Sequence, residues 1–354
     1  MKHHAKRASI KDVAAFAGVS LGSVSRVINK AGNVGDEVRA RVERAMRELD
    51  YSPDQTAQAL RSRSSRTVGC MFTDVANPLY ARLYQTFETK LHKAGYMVLL
   101  ANSLNDLQRE REILSMFQSR RMDGAIIAPG HERDPALLET MDKLGLPVVV
   151  LDRDMDVAHD RVLFDHLRGL HDAVQHLAAL RHRDVALLIA DVPNRPMRRR
   201  LEGFRAGLEA AGLAFRPERV VRLGSSTSPA YDEVLRLLRP ADRPTALITP
   251  GTSVLADALN AAEALGLQVP RDLSIVSLGD PDFARHHRPS ITSIAIDHEI
   301  AADAGVDMLL KRMRGEPPAQ PREAMAPARF VARESTGPAP TQPRRRAPPP
   351  RPRD

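Results

Sequence analysis

Arg26 has the side chain whose type and setting point most directly to recognition chemistry. In the stretch Ser9–Asn29, SIKDVAAFAGVSLGSVSRVIN, Val24, Val27 and Ile28 fall at i, i+3 and i+4 and share one helical face. Leu21, Gly22, Ser25, Arg26 and Asn29 are left on the outer face. A guanidinium on such a face can take a guanine edge bidentately, with a phosphate contact as the alternative. Ser20, Ser23, Ser25 and Asn29 suit phosphate oxygens, which position a helix on a duplex without reading sequence. Leu21 can pack on a thymine methyl. The chemistry implied is binding to duplex DNA.

The elements that position these residues follow from the same stretch. Ser9 is placed to N-cap a short helix, with Asp12 three residues on. Val13, Ala14 and Ala17 give that helix an apolar face, and Gly18 stops it. Val19 turns inward and Ser20 caps the second helix, so the stretch reads as a helix-turn-helix. Gly35–Leu49 completes a three-helix unit through Val38, Val42, Ala45, Met46 and Leu49. Ser52 and Pro53 then open a further short helix as N-cap and first helical residue.

Charge agrees with this placement. Residues 1–66 hold 13 Lys and Arg against 7 Asp and Glu, and residues 337–354 hold 5 against 1, in a chain of net charge +8. A basic head on a near-neutral body is the footprint of a phosphate-binding module. Cys70 is the only cysteine, which excludes a disulfide framework and a cysteine zinc site. The start, MKHHAKR, lacks the apolar run of a signal peptide, so a cytoplasmic protein is expected, associated with the nucleoid through its DNA site.

From Thr67 onward apolar runs alternate with helical segments. Strands are predicted at TVGCMFTD, GYMVLLAN, DGAIIAPG, PVVVLDR, RVLFD, DVALLIAD, ERVVRL, TALITP and LSIVSL. Helices are predicted at 78–94, 106–120, 166–180, 196–211 and 253–265. This alternation predicts an α/β fold with parallel sheets covered on both faces. The strands are too many for one six-stranded unit, so two Rossmann-like lobes with a cleft between them are expected, ligand binding lying at the strand carboxyl ends. Enzyme motifs are missing: there is no phosphate-binding loop or dinucleotide fingerprint. Asp152, Asp154 and Asp156 imitate a calcium loop, but Val157 stands where that loop needs Gly and Leu163 where it needs Glu. His166, His171 and His176 recur every five residues and scatter around a helix. No enzyme activity, cofactor or metal is expected.

Taken together, SIKDVAAFAGVSLGSVSRVIN, RARVERAMRELDYSP, AQALRSRSS, TVGCMFTDVANPLY and ARESTGP resemble the lactose-repressor (LacI/GalR) family of bacterial transcription regulators. The resemblance spans about residues 8–337. It implies a helix-turn-helix head at 1–51, a hinge helix and linker at 52–66, and an effector-binding and dimerisation domain of the periplasmic-binding-protein type at 67–336. Lobe one is expected at about 67–164 plus 297–328, with Asp297–Arg314 as its returning helix, and lobe two at about 165–294. The Pro- and Arg-rich 337–354 is read as a disordered tail.

Leu21 and Gly22 match the family's base-reading pair, half of it silent because glycine has no side chain. Leu60 matches the hinge leucine that wedges into the minor groove, flanked by Ala57, Ala59 and Arg61. For the effector cleft the resemblance implies Asn77, Pro78, Asp152, Arg153, Arg198 and Asp280, while Arg195, Arg199 and Arg200 are set aside as surface charge. Pro250-Gly251 and Gly279 depart from the Asn-Asp and Asp common in relatives, so two groups suited to a sugar are missing and an organic acid is the other candidate. The expected partners are operator DNA, a small-molecule effector and a second copy of the chain, with no membrane. The rivals are a ligand-independent DNA binder and a solute-binding protein with a vestigial head.

Overall fold

A computed structural model describes residues 8–28, 32, 34–51, 64–316 and 320–340. Asn29, Ala57, Leu60 and Arg61 lie outside the described residues, as does the greater part of the expected hinge. The chain divides after Ser65 into two compact units.

The first unit is built on α1 (Ile10–Ala17), α2 (Leu21–Ile28) and α3 (Asp36–Glu48). Ser9 and Asp12 form a reciprocal cap, the Ser9 N–H donating to Asp12 at 2.7 Å and the Asp12 N–H to Ser9 Oγ at 3.4 Å. Gly18 ends α1 at φ +62°, and Arg41 of α3 donates to the carbonyls of Ala17 and Gly18 at 2.5 and 3.0 Å. A Cβ on Gly18 would sit 2.7 Å from that guanidinium, so both the backbone angle and the close approach require glycine. The Ser23 N–H donates to Ser20 Oγ at 3.1 Å and starts α2. Val13, Ala14, Ala17, Val24, Val42 and Ala45 are buried together as the core.

The second unit carries two six-stranded sheets. The first, in order β11-β5-β4-β3-β1-β2, is parallel throughout and uses β1 (Thr67–Phe72), β2 (Met97–Asn102), β3 (Gly124–Ala128), β4 (Val148–Leu151), β5 (Asp160–Phe164) and β11 (Glu323–Ala326). The second, in order β12-β10-β9-β8-β6-β7, uses β6 (Val185–Ala190), β7 (Val220–Leu223), β8 (Ala246–Pro250), β9 (Ser274–Leu278), β10 (Thr292–Ile296) and β12 (Ala328–Val331), only β12 running antiparallel. The helices bounding the cleft between these lobes are α4 (Pro78–Lys93), α7 (His166–Ala179), α8 (Arg195–Ala210), α10 (Ser253–Ala264) and α11 (Asp282–His286). The first lobe also carries α5 (Leu107–Ser119) and α6 (Pro135–Asp142), and the second α9 (Tyr231–Leu238). α12 (His298–Met313) packs Ala301, Ala302, Val306 and Leu309 into the first lobe's core.

The chain crosses between lobes after β5, after β10 and between β11 and β12. These crossings are joined side by side, Asp165 N–H donating to Ala326 O at 3.1 Å and Asp297 N–H to Pro327 O at 3.3 Å.

Two sequence-based boundaries change. β12 belongs to the second lobe, beyond the 165–294 assigned to it. Gly337–Pro340 are part of the folded lobe and not of a tail: the Gly337 N–H donates to Ser274 Oγ at 3.1 Å, and the Ala339 N–H to Leu180 O at 2.8 Å. The reason is His182, a buried imidazole 3.0 Å from both Ser274 Oγ and the Gly337 carbonyl, whose polar atoms require partners.

Candidate functional site

In the first unit α2 turns Val24 inward with no exposure and leaves Ser20, Leu21, Gly22 and Arg26 exposed, with Ser23 and Ser25 at the margin. Leu21 is 45% exposed on the same face, open to a partner surface. The Arg26 Nε donates to the Gly22 carbonyl at 3.2 Å, which holds the guanidinium along the outer face of the helix. A Cβ on Gly22 would meet nothing nearer than Ser20 Oγ at 3.7 Å, so packing within the unit does not demand glycine there. Phe16 on α1, 57% exposed, is an apolar surface residue that the sequence reading passed over.

In the second unit two adjoining cavities of about 100 and about 70 Å³ lie between the lobes. A single water needs only about 10–15 Å³, so neither is a packing fault. They share Asn77, Leu79, Arg200 and Ser226 and form one cleft. Helix starts surround it. Asn77 caps α4, accepting the Leu79 N–H at 3.0 Å, with Pro78 behind it; Asn194 caps α8 and Thr252 caps α10.

Asn77, Pro78 and Asp280 border the larger cavity, Asp152 and Arg153 the smaller. Asp280 is already engaged. Arg333 reaches both its oxygens at 2.7 and 2.9 Å, and Arg285 adds contacts of 3.0 and 2.8 Å. Burial would raise this carboxyl, but the two guanidiniums outweigh it and hold it below the usual carboxylate range. Arg333 was missed from sequence, although it stands inside ARESTGP.

Asp152 is buried at φ +55° and pins the lobes together. Its Oδ2 lies 2.7 Å from His166 Nε2, and its Oδ1 accepts from Arg195 at 2.8 Å and from the Phe164 N–H at 3.2 Å. Desolvation pushes this carboxyl up; His166 and Arg195 prevail and hold it low. Burial likewise depresses His166, against the pull of Asp152. Arg153 is a structural bolt: buried, it donates to the carbonyls of Pro129, Asp152 and Ala128 and to Tyr80, whose ring stacks on Phe72 at 4.6 Å.

Arg198 departs from expectation. Its guanidinium lies 2.6 Å from Glu132 and 2.9 Å from Asp154, outside both cavities, and clasps the lobes at their rim. Arg195 and Arg200, set aside as surface charge, are the cleft residues: Arg195 is buried on Asp152, and Arg200 borders both cavities. Only Arg199 answers that description, pairing on the surface with Glu202 at 2.9 Å. The physical reason is helical phase. Arg200 shares its stripe with the buried Gly203, Phe204 and Gly207, whereas Arg198 is turned from it by about 200° at 100° per residue.

The Pro250-Gly251 departure also has a cause. Gly251 donates to Leu278 O at 2.8 Å, and a Cβ there would lie 2.5 Å from Ser277 Oγ and 3.0 Å from the Leu278 carbonyl. Three further contacts cross the cleft: Thr227 with Asp74, Arg82 with Asp282, and Arg195 with Asp154 at 3.2 Å. Among the described residues no cluster of three His, Cys, Asp or Glu could hold a metal ion, and no helix is long and apolar enough to cross a membrane.

Known proteins match both units. Residues 9–54 match the family described as bacterial regulatory proteins, lacI family, and residues 174–336 the periplasmic binding protein-like domain. The chain is 31% identical over 308 residues to the HTH-type transcriptional repressor PurR of Erwinia tasmaniensis, covering 86% of this chain and 90% of that protein. It is 29% identical over 340 residues to the HTH-type transcriptional regulator DegA of Bacillus subtilis, covering 94% and 99%. A crystal structure of the lac repressor dimer bound to operator and the anti-inducer ONPF superposes with a TM-score of 0.82 at 26% identity, covering 94% of this chain and all of that one. The regulator CelR in complex with cellobiose superposes at 0.68 with 27% identity, covering 93% and 100%. With an exposed recognition helix in one unit and a lined cleft in the other, the chain belongs to the lacI family of bacterial DNA-binding transcription regulators.

Proposed function

We propose that the protein is a repressor that binds a palindromic operator as a homodimer and is controlled by a small polar metabolite seated between its lobes. The observation that carries this reading is the outer face of α2, where Arg26 and Leu21 stand exposed on a helix whose opposite side is the core of its unit. A symmetric dimer imposes symmetric half-sites on the DNA it binds. The cleft supports effector control because contacts from both lobes line or bridge it. A bound molecule that prefers one arrangement of the lobes shifts the population toward it, and with it the DNA affinity. A cytoplasmic location follows from binding chromosomal DNA.

Selection of operator sequences with the full-length protein, followed by electrophoretic mobility shift, tests the reading. Arg26→Ala is expected to weaken operator binding by about 1–3 kcal/mol, roughly 5- to 150-fold, and to relax preference at one base pair of each half-site. Unaltered affinity and preference in this variant would remove α2 as the reading element. A ligand-independent regulator is the second reading, favoured by the side-chain bridges that already join the lobes across the cleft.

A further inference from the structure

We infer that the outer end of the second lobe, with the arginine-rich residues that continue from it, is a second duplex-DNA site that grips phosphates without reading sequence. It lets the protein hold another stretch of DNA besides its operator, with or without an effector in the cleft.

Both sheets turn the carboxyl ends of their strands to the cleft: Thr73, Asp152 and Phe164 of the first and Ala190, Pro250 and Leu278 of the second line its cavities. The amino ends point away from it, and the chain enters the first sheet at such an end, at Thr67. The matching end of the second sheet consists of the loops before β6, β7, β8 and β9, residues 180–184, 214–219, 239–245 and 266–273. They are stitched together, the Thr245 N–H donating to Asp184 O and the Ser274 N–H to Thr245 O, both at 3.0 Å. These loops hold seven arginines against four acids, and no lysine. Two of the acids are committed, Asp184 accepting from Arg219 at 2.8 and 2.6 Å and Asp272 from Arg271 at 3.0 Å. Arg181, Arg183 and Arg239 are exposed, and their side chains have no hydrogen-bond or ion-pair partner among the described residues. A patch of this kind is an electrostatic footprint for phosphate.

The end of the folded chain is fastened to the same place. The Gly337 N–H bonds to Ser274 Oγ and the Ala339 N–H to the Leu180 carbonyl, next to Arg181. Residues 341–354, outside the described residues, follow directly and hold five arginines against one acid, Asp354. Fourteen residues reach at most about 50 Å, more than the roughly 34 Å of one duplex turn. Arginine without lysine favours phosphate oxygens, which its planar fork takes two at a time. An anionic membrane offers similar charge but rewards apolar side chains that enter it, and no large apolar residue is exposed in the four loops. A protein already on its operator meets other DNA at high local concentration, so weak phosphate contacts suffice.

The test immobilises a selected operator duplex, saturates it with full-length protein and offers a dye-labelled duplex of scrambled sequence. Capture of the second duplex is expected at about 50 mM salt, with a loss of about 100-fold at about 200 mM, the dependence of roughly four phosphate contacts. Arg181→Gln, Arg183→Gln and Arg239→Gln form one variant, and Arg344→Gln, Arg345→Gln, Arg346→Gln, Arg351→Gln and Arg353→Gln another. Each should weaken capture about fivefold or more, and the two combined should abolish it. Operator affinity and Tm should match the parent in all of them, which separates loss of this contact from loss of fold. Parent-like capture by the combined variant overturns the proposal and assigns the second duplex to the first unit. Absence of capture by the parent at the lower salt also overturns it, and sedimentation with phosphatidylserine vesicles in that case reassigns the charge to a membrane surface. Failure to select any operator counts against the repressor reading alone. Binding of the scrambled duplex in solution by parent and combined variant then decides, equal affinities overturning the proposal and a weaker variant supporting it.

Discussion

Asp152 carries more of the second unit than its place at the end of a strand suggests. It adopts a left-handed backbone that non-glycine residues tolerate poorly, though Asp and Asn better than most, and its carboxylate joins His166 and Arg195 across the lobes. Asp152→Ala takes from the buried Arg195 the closer of its two carboxylates, leaving only Asp154 at 3.2 Å, and strips His166 of its partner, so it should cost about 3–5 kcal/mol in urea denaturation of the second unit. Asp152→Asn keeps the backbone preference and one acceptor, so its loss should be smaller. Equal losses would assign the effect to shape and not to charge. At this scale the sequence was half legible. The resemblance implied a cleft guanidinium in the run RPMRRR, but choosing among Arg195, Arg198, Arg199 and Arg200 required the phase of α8 against its buried Gly203, Phe204 and Gly207. Those residues were in plain view, and counting back from Phe204 by four selects Arg200.

At the scale of elements, what was readable was whatever had a strong local signature. The helices of the first unit announce themselves through Ser9, Gly18 and Ser20, and the early strands through unbroken apolar runs. β10, β11 and β12 were missed because burial there does not coincide with hydrophobicity. Thr292 and Ser293 are wholly buried, with the Thr292 N–H donating to Ser335 Oγ at 2.8 Å and the Arg333 N–H to Thr292 Oγ1 at 2.9 Å. β11 and β12 are four-residue edge strands with Glu323 and Arg329 turned to water.

The opposite edge behaves differently. β2 leaves Met97 64% and Leu99 43% exposed, with Leu100 beside them, on a strand edge that has no neighbouring strand among the described residues, a surface suited to association. We expect this edge to form part of the dimer contact. Leu99→Lys should convert dimer to monomer in sedimentation velocity and lower operator affinity, while the melting of the isolated fold changes little. A stable dimer in that variant would place the contact elsewhere.

For the whole molecule, acid is the natural stress. Burial holds His159, His166, His176 and His182 below the ordinary histidine value of 6.5. The unfolded chain therefore takes up protons that the folded chain refuses. Stability is complete above about pH 6.5 and falls as the pH drops toward the depressed folded values. Asp152, Asp160 and Asp280, held below 3.8, extend the same trend further into acid. The urea midpoint should decline steadily from pH 7 to 5, and His166→Gln should flatten part of that slope. A midpoint that rises on acidification would show that these imidazoles gain charge in the folded protein.

The two-lobed plan was legible from the count of strands, and the resemblance returned Asp297–Arg314 to the first lobe; only the last crossing, to β12, was not read, and the interleaving bears on synthesis. The second lobe is continuous from α7 through β10 and lacks only its edge strand β12, whereas the first lobe waits for α12 and β11 near the end of the chain. On the ribosome, the segment made first is completed last. Until residues 298–326 emerge, Phe87, Val149 and Val162 have no α12 to cover them, so the nascent chain carries an open apolar sheet face through most of its translation, a period in which chaperones have reason to attend it.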